Sequence, residues 1–297
     1  MLAMEVLVCK EYNYFCTKQQ FIDATPQYKR FENKPTQGLL YLEDGFISYT
    51  TNDKTITVVI YADSYELVDE YNKIFSDLKE VKANITWVYG KDGSSMMVPI
   101  TDEKTPLDSF YPFIEKSLAQ YYDDFMDSSQ NILILQGDPG VGKTSFLRGL
   151  LQHTQSGATV SYDPEILGSD SIFANFMDSG DSFFIMEDSD VMLKSRSDGN
   201  TTMSKFLNVG DGLVSIPNKK LIFTTNLPSI KDIDSALTRP GRCYDIVHFR
   251  ALSGVEADAV RKDVGVKQSG VGGTLAEILN ERVEPVAKQK SSSFGFY

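Results

Sequence analysis

The chain has 297 residues, of which 41% are hydrophobic and 11% aromatic, and its 41 acidic residues outnumber 29 basic ones. This length predicts about two domains, and the composition supports a buried core, which excludes a disordered or collagen-like protein. The net charge of −12 argues against a protein that acts mainly by neutralising nucleic-acid phosphates.

The cysteines Cys9, Cys16 and Cys243 are widely spaced and form no C-x-x-C pair, so they indicate neither a disulfide framework nor a zinc site. The first residues show no basic segment followed by a long apolar run, and no stretch approaches 18 apolar residues. We therefore expect a cytoplasmic protein, in the host cytoplasm if a phage encodes it, that is neither secreted nor inserted into a membrane.

The first third of the chain, residues 1–102, is predicted to form a small α+β domain. Its hydrophobic pattern predicts, in chain order, a strand at 4–8, a three-stranded meander at 37–61, a helix from Ser64 and a hairpin formed by 85–89 and 96–100. We find no catalytic combination of residue types in this domain.

Residues 101–109 are polar and contain a proline, which is typical of a linker. Residues 112–126 follow with apolar side chains at helical spacing and predict a helix with Ser109 near its start. Beyond them, three apolar runs alternate with helical stretches, at 132–135, 183–186 and 221–225. Nearly continuous apolar strands separated by helices indicate an α/β domain with a buried parallel sheet.

The segment from Gly137 to Thr144 matches G-x-x-x-x-G-K-[ST] and lies between a predicted strand and a predicted helix. Its glycines allow backbone N–H groups to face phosphate oxygens, and the helix N-terminus adds positive potential. Lys143 is expected to bind the β- and γ-phosphates of ATP, and the Thr144 hydroxyl to bind Mg²⁺. The predicted nucleotide-binding residues are Gly137, Asp138, Pro139, Gly140, Val141, Gly142, Lys143, Thr144 and Ser145.

Polar residues follow two of the predicted strands. Glu187 and Asp188 come after 183–186, and a metal-bound triphosphate needs one carboxylate for the metal and another to polarise the attacking water. The alternative is a solvated turn, but a phosphate-binding pattern about 45 residues upstream favours the functional interpretation. Asn226 is a candidate for orienting that water, although asparagine is also common in turns and helix caps.

Arg239 and Arg242 flank a Pro-Gly turn, so both guanidinium groups are expected at the surface. Surface arginines are usually only solvated. These two are also candidates for arginine fingers, which stabilise the charge that develops on a neighbouring subunit's nucleotide during phosphoryl transfer.

Together these segments resemble the AAA branch of the AAA+ ATPases over about residues 108–283. GDPGVGKTS resembles Walker A, FFIMEDSD resembles Walker B, FTTN resembles sensor 1, and IDSALTRPGRCYD is similar to the arginine-finger segment. The segment 206–213 (FLNVGDGL) resembles the L-N-x-x-D-G stretch that precedes sensor 1. The segment 272–281 (GGTLAEILNE) is similar to the start of the lid helix, where small residues replace the sensor 2 arginine.

The resemblance implies an α/β fold class, namely a P-loop AAA+ module with a five-stranded parallel sheet between helices and a small helical lid. The expected organisation is an N-terminal α+β domain at 1–102, a large α/β ATPase subdomain at 103–250, a helical lid at 251–284 and a flexible tail at 285–297. The likeness does not cover the N-terminal domain.

The order Glu187-Asp188 departs from the Asp-Glu order of most of the family and resembles Bcs-type AAA proteins and small stand-alone AAA ATPases of tailed phages. The register then implies Glu187 as the metal residue, with Thr144, and Asp188 as the water-activating residue. Aspartate is one methylene shorter, and a displacement of about 1 Å can cost on the order of 10²-fold in rate. Residues 165–168 fall where threading relatives carry an aromatic pore loop, but they lack the aromatic and also fit a loop that buries two aliphatic side chains.

The resemblance implies an ATPase that binds Mg·ATP, hydrolyses it and assembles into a homo-oligomeric ring, most often a hexamer, because fingers in trans require an adjacent subunit. We expect the ring to remodel or chaperone a protein partner that the N-terminal domain recruits. A nucleotide-gated assembly factor with slow turnover is the second interpretation. A DNA-associated loader or helicase partner is the third, and the acidic charge argues against it. No membrane partner is expected.

Overall fold

The structure is a computed structural model that describes residues 7–52, 54–90, 93–102, 104–167, 169–194 and 218–280. Three segments named above lie outside these ranges: 206–213, the tail at 285–297 and the last four residues of the predicted lid. Across the described part of the chain, no helix has the length and apolar character needed to cross a membrane.

Twelve strands in these ranges form one continuous sheet. In chain order they are β1 (Val8–Phe15), β2 (Lys29–Lys34), β3 (Gln37–Leu42), β4 (Gly45–Thr51), β5 (Thr55–Ala62), β6 (Lys79–Val88), β7 (Ser95–Thr101), β8 (Ile132–Gln136), β9 (Ala158–Ser161), β10 (Phe183–Met186), β11 (Lys220–Thr225) and β12 (Cys243–His248). The helices of the same ranges are α1 (Lys18–Ala24), α2 (Tyr65–Asn72), α3 (Leu118–Asp127), α4 (Lys143–Thr154), α5 (Pro164–Leu167), α6 (Asp170–Asp178), α7 (Asp190–Leu193), α8 (Gly254–Asp263) and α9 (Leu275–Asn280).

Five parallel strands in the order β12-β8-β11-β10-β9 form the carboxy-terminal part of the sheet. Every residue of β8, β9, β10 and β11 is buried, because helices cover both faces. One apolar cluster joins this sheet to α3, α4, α8 and α9, and a second joins its other face to α5, α6 and α7. The predicted α/β fold class is confirmed.

The N-terminal part is an antiparallel sheet in the order β1-β5-β4-β3-β2, with α1 and α2 packed against one face. The predicted meander at 37–61 corresponds to β3, β4 and β5, and the predicted helix from Ser64 corresponds to α2. The first described strand spans Val8–Phe15, and residues 4–6 of the strand predicted at 4–8 lie outside the described ranges. Its buried Tyr12 and Tyr14 alternate with polar residues, which left no continuous apolar run to mark the strand in the sequence. Helix α1 and strand β2 were not predicted.

The predicted hairpin exists as β6 and β7, but it joins the two parts of the sheet. Residues Ile85–Trp87 of β6 pair in parallel with β9, while Tyr14 and Phe15 of β1 pair with the beginning of β6. The hairpin therefore adds a sixth parallel strand to the carboxy-terminal sheet, and hydrogen-bonded strands continue across the domain boundary expected at residue 102.

The helix predicted at 112–126 begins later than expected, at Leu118. The Ser117 hydroxyl accepts the Gln120 N–H at 3.2 Å, and the Asp108 carboxylate accepts the Leu118 N–H at 2.8 Å. These two acceptors satisfy N–H groups of the first turn and place the start of α3 after the proline at 112 rather than at it.

Candidate functional site

The loop Gly137–Gly142 connects β8 to α4 at the carboxyl edge of the parallel sheet. Gly140 and Gly142 adopt positive φ values of 82° and 101°, a conformation that favours glycine. At Gly137 a Cβ atom would lie 2.2 Å from the Phe249 carbonyl oxygen, so only glycine fits beside the end of β12. The glycine spacing found in the sequence therefore has a local steric reason in the fold.

Lys143, the first residue of α4, is buried at the centre of this loop. Its Nζ donates to the carbonyl oxygens of Gly137 and Asp138, the second at 3.1 Å, and to the Asn226 side-chain oxygen at 2.8 Å. All three acceptors are neutral, so within the described residues no carboxylate forms an ion pair with this amine. Burial lowers the pKa of Lys143, and the more distant carboxylates of Asp188, Asp190, Asp138 and Glu187 oppose that shift.

Thr144 and Glu187 meet beside Lys143. The Thr144 hydroxyl donates to Glu187 Oε1 at 3.0 Å, although the two residues lie 43 positions apart in the sequence. Glu187 also interacts with Tyr162 at the end of β9. Burial and the negative charge of this carboxylate raise the pKa of the Tyr162 hydroxyl to about 12. The residue predicted to bind metal thus contacts the hydroxyl predicted to bind the same metal.

Asp188 lies next to this pair in a left-handed backbone conformation, with φ of 50°. Its N–H donates to the Thr224 hydroxyl at 3.0 Å, and its side chain accepts the Asn226 amide at 3.3 Å. Because Asn226 also accepts from Lys143, it bridges the lysine and the second carboxylate. The structure therefore brings together five predicted site residues from three different segments of the chain.

Asp190 is a site residue that was not predicted from the sequence. Its Oδ1 accepts the Thr225 hydroxyl at 2.5 Å and the Asn226 N–H at 2.9 Å. This carboxylate fixes the end of β11 and with it the direction of the Asn226 side chain. The spacing E-D-x-D in the sequence could have indicated this residue. Its hydrogen-bond partners Thr225 and Asn226 are known only once β11 is placed beside β10.

The beginning of helix α9 covers the site on the side of the glycine loop. The Ala276 N–H donates to the Gly140 carbonyl at 2.9 Å, and Leu275 lies against Gly142. The Gly272-Gly273 pair precedes this helix, and Gly273 pairs with Leu252 in a short antiparallel bridge. The cleft has a volume of about 380 Å³ and is lined by Asp138, Pro139, Gly140, Gly142, Lys143, Thr144, Ser145, Glu187, Asp188, Thr224, Asn226, Leu275, Ala276 and Leu279.

Arg239 and Arg242 are not part of this cleft. Arg239 is exposed, and Arg242 is half-buried with its guanidinium donating to the Ala236 carbonyl at 3.0 Å. Cys243 pairs with Ile132 at the amino end of β8, whereas the phosphate-binding loop follows its carboxyl end. The amino and carboxyl ends of β8, a strand of five residues, are about 13 Å apart. The two arginines thus lie at the opposite edge of the sheet from the cleft of their own subunit.

The segment expected at the pore-loop position contributes to the core instead. Ile166 and Leu167 are buried in the cluster formed with α6 and the sheet. Of the two interpretations of this segment, the loop that buries two aliphatic side chains is therefore the one observed. Residue 168 lies outside the described ranges.

The residues present fit Mg·ATP. A buried lysine that contacts only neutral acceptors, and forms no ion pair with a described carboxylate, can bind phosphate oxygens. A hydroxyl and a carboxylate in contact are oxygen ligands of the kind that Mg²⁺ takes in addition to phosphate and water. Among the described residues no group of three His, Cys, Asp or Glu side chains is placed to hold a metal by itself.

Residues 133–251 match the family model of the ATPase family associated with various cellular activities, abbreviated AAA. These residues form an AAA domain. The matched range contains the glycine loop, both acids after β10, Asn226 and the two arginines, but not the lid helix α9.

Three relatives of the AAA domain illustrate the similarity. The chain is 26% identical over 213 residues to the probable mitochondrial chaperone bcs1 of Schizosaccharomyces pombe, a match that covers 69% of this chain and 46% of the relative. It is 25% identical over 251 residues to the 26S proteasome regulatory subunit 8 homolog of the same organism, with coverages of 69% and 61%. The Saccharomyces cerevisiae homolog of that subunit is 32% identical over 136 residues, with coverages of 39% and 33%. The chain spans less than two thirds of each of these relatives.

Proposed function

We propose that this chain is an ATPase that binds Mg·ATP at the cleft beside Lys143 and hydrolyses it. The observation that carries the proposal is the buried Lys143 amine at the start of α4, which forms no ion pair with a described carboxylate, together with the Thr144–Glu187 contact beside it. Bound Mg²⁺ would neutralise charge on the β- and γ-phosphates. Calorimetric titration with ATP in the presence of Mg²⁺ tests the binding, and phosphate release tests the hydrolysis.

The side chains have separable roles in this proposal. Lys143 binds the phosphates, Thr144 and Glu187 hold the metal, and Asp188 accepts a proton from the attacking water. Asn226 donates to Asp188 in the structure, which keeps that carboxylate oriented toward the position of the water. Glu187, not Asp188, contacts Thr144, and this supports the assignment of metal binding to Glu187.

Asp188→Asn is expected to trap an ATP-bound protein. The amide retains the size of the side chain but accepts no proton, so hydrolysis should fall by about 10²-fold or more while ATP affinity changes little. Phosphate release and calorimetry measure the two quantities separately. Glu187→Gln is the matched variant and should instead weaken Mg²⁺ binding, so that turnover requires a higher Mg²⁺ concentration. If Glu187→Gln is inactive and Asp188→Asn remains active, the roles assigned to the two acids are reversed.

Asp190→Ala is expected to reduce turnover through Asn226. Without the Asp190 oxygen, the Asn226 N–H and the Thr225 hydroxyl lose their acceptor, and a shift of about 1 Å in a catalytic group costs on the order of 10²-fold. Asp190→Asn retains one carbonyl oxygen and should be close to the wild type in kcat. Equal loss of kcat in both variants would contradict a positioning role.

We further propose that the chain acts as a homo-oligomeric ring, with a hexamer as the expected number, and that it remodels or chaperones a protein partner. Arg239 and Arg242 lie at the opposite edge of the sheet from their own cleft, so they can reach a nucleotide only on an adjacent subunit. The N-terminal sheet is the proposed recruiting domain. The similarity to a chaperone and to proteasome regulatory subunits supports a protein as the partner.

A nucleotide-gated assembly factor with slow turnover is the second candidate. Two observations favour it over active threading: an aspartate at the water-activating position, and the burial of Ile166 and Leu167 where a pore loop was expected. Light scattering with ATP distinguishes the candidates when it is combined with phosphate release. Ring formation with negligible turnover would support the assembly factor, and turnover that a captured partner stimulates would support the remodelling ATPase.

A further inference from the structure

A cavity of about 240 Å³ lies behind the metal-binding pair, on the side away from the phosphate-binding loop. The hairpin of β6 and β7 forms one wall, and α4 forms another. Thr144 and Glu187 line both this cavity and the nucleotide cleft. A side chain that lies in the cavity can therefore contact the metal-binding residues without touching the nucleotide.

Tyr162 occupies that position because of strand register. In the parallel pairing of β9 and β10, Ser161 lies opposite Met186, so the next residues, Tyr162 and Glu187, are neighbours at the carboxyl ends of the two strands. Both side chains line the cavity, so the Tyr162 ring lies beside the Glu187 side chain. Thr144 contacts Glu187 on the side of the cleft, and Tyr162 is its neighbour on the side of the cavity.

Trp87, the only tryptophan of the chain, supports Tyr162 from the hairpin. The two rings meet edge to face, with centroids 6.5 Å apart and an interplanar angle of 81°. Trp87 pairs with Val160 of β9, and β6 begins beside β1 of the N-terminal sheet. Trp87 of the hairpin, Tyr162 and Glu187 are therefore successive neighbours in space.

We propose that Tyr162 is a positioning residue that fixes the Glu187 carboxylate for Mg²⁺, and that Trp87 on the β6–β7 hairpin keeps Tyr162 in place. This inference rests on the proposed function of the cleft. A carboxylate that binds metal loses affinity when the group that orients it is removed, typically by 10-fold to 100-fold. The hairpin thereby becomes the element through which a change in the N-terminal sheet reaches the metal site.

The test compares Tyr162→Phe with Tyr89→Phe. The first variant retains the ring against Trp87 and removes only the hydroxyl beside Glu187. The matched control removes the hydroxyl of Tyr89, whose ring packs on Trp87 at a tilt with centroids 5.4 Å apart and which does not line this cavity. Mn²⁺ and Mg²⁺ binding to the ATP-loaded protein is measured by calorimetry, and Trp87 fluorescence reports whether the ring packing is intact.

Tyr162→Phe is expected to weaken divalent-cation binding by about tenfold or more, to leave metal-free ATP binding unchanged, and to recover wild-type kcat at excess Mg²⁺. Tyr89→Phe should resemble the wild type in all three measurements. Trp87→Leu should weaken cation binding in the same direction, because Tyr162 loses its support. Cation affinity within twofold of the wild type in Tyr162→Phe, or a loss of kcat that excess Mg²⁺ does not restore, would overturn the inference. A wild-type protein that does not bind ATP would overturn the proposed function instead.

Discussion

Replacing Lys143 by alanine is expected to abolish measurable ATP binding. The amine is buried, contacts only neutral oxygen atoms in the described residues and is the one lysine that lines the cleft. Charged hydrogen bonds of this kind contribute about 1.5–3 kcal/mol each, so losing two phosphate contacts should weaken binding by roughly 100-fold or more. Calorimetry with Mg·ATP measures the loss directly.

Lys262→Ala is the matched control for this variant, because Lys262 is an exposed lysine on α8 outside the cleft. It should bind ATP as the wild type does. The thermal midpoint of each protein, measured without nucleotide, shows whether either substitution unfolds the chain. Retention of wild-type affinity in a folded Lys143→Ala protein would refute the assignment of the cleft to the triphosphate.

Replacing Arg239 by alanine is expected to reduce turnover by about 10³-fold while ATP binding is retained. An arginine finger contributes on the order of 10³–10⁵ to kcat by stabilising transition-state charge, and it makes little contribution to ground-state binding. Arg239 is exposed and lies at the opposite edge of the sheet from the cleft, so its proposed target is a nucleotide on an adjacent subunit. Arg239→Lys retains the charge but loses the planar fork and should restore turnover only in part.

A mixing experiment tests action in trans. Lys143→Ala subunits retain the arginine but bind no nucleotide, whereas Arg239→Ala subunits bind nucleotide but lack the arginine. Each protein alone should be inactive, and a mixture should regain activity at interfaces where the first subunit presents its arginine to the second. A mixture that stays inactive although light scattering shows mixed rings would contradict fingers in trans. Wild-type turnover by Arg239→Ala alone would contradict the finger itself.

The sequence predicted the phosphate-binding loop and three buried strands of the parallel sheet because both depend on local patterns, whereas the number of five strands came from the family resemblance and β6 adds a sixth. Gly140 and Gly142 are required where they stand by backbone conformation, and the buried strands are apolar along their whole length. The contacts of Lys143 with Asn226 and of Thr144 with Glu187 follow from the same topology, since the carboxyl ends of parallel strands meet at one edge. Helix α1, strand β2 and the start of α3 were missed or misplaced, because their short patterns contain many polar residues.

The sequence by itself predicted which chemistry the chain carries, since a glycine loop with a lysine and a threonine, followed by acids after a buried strand, is specific enough to propose Mg·ATP binding without a fold. Only the tertiary structure decided which residues support that chemistry. Asp190 acquires its role from the neighbouring strand β11, and Tyr162 from its register beside Glu187. The pairing of β6 with both β1 and β9 likewise joins the two parts of the chain. These contacts depend on register between distant segments, which no local pattern of residue types encodes.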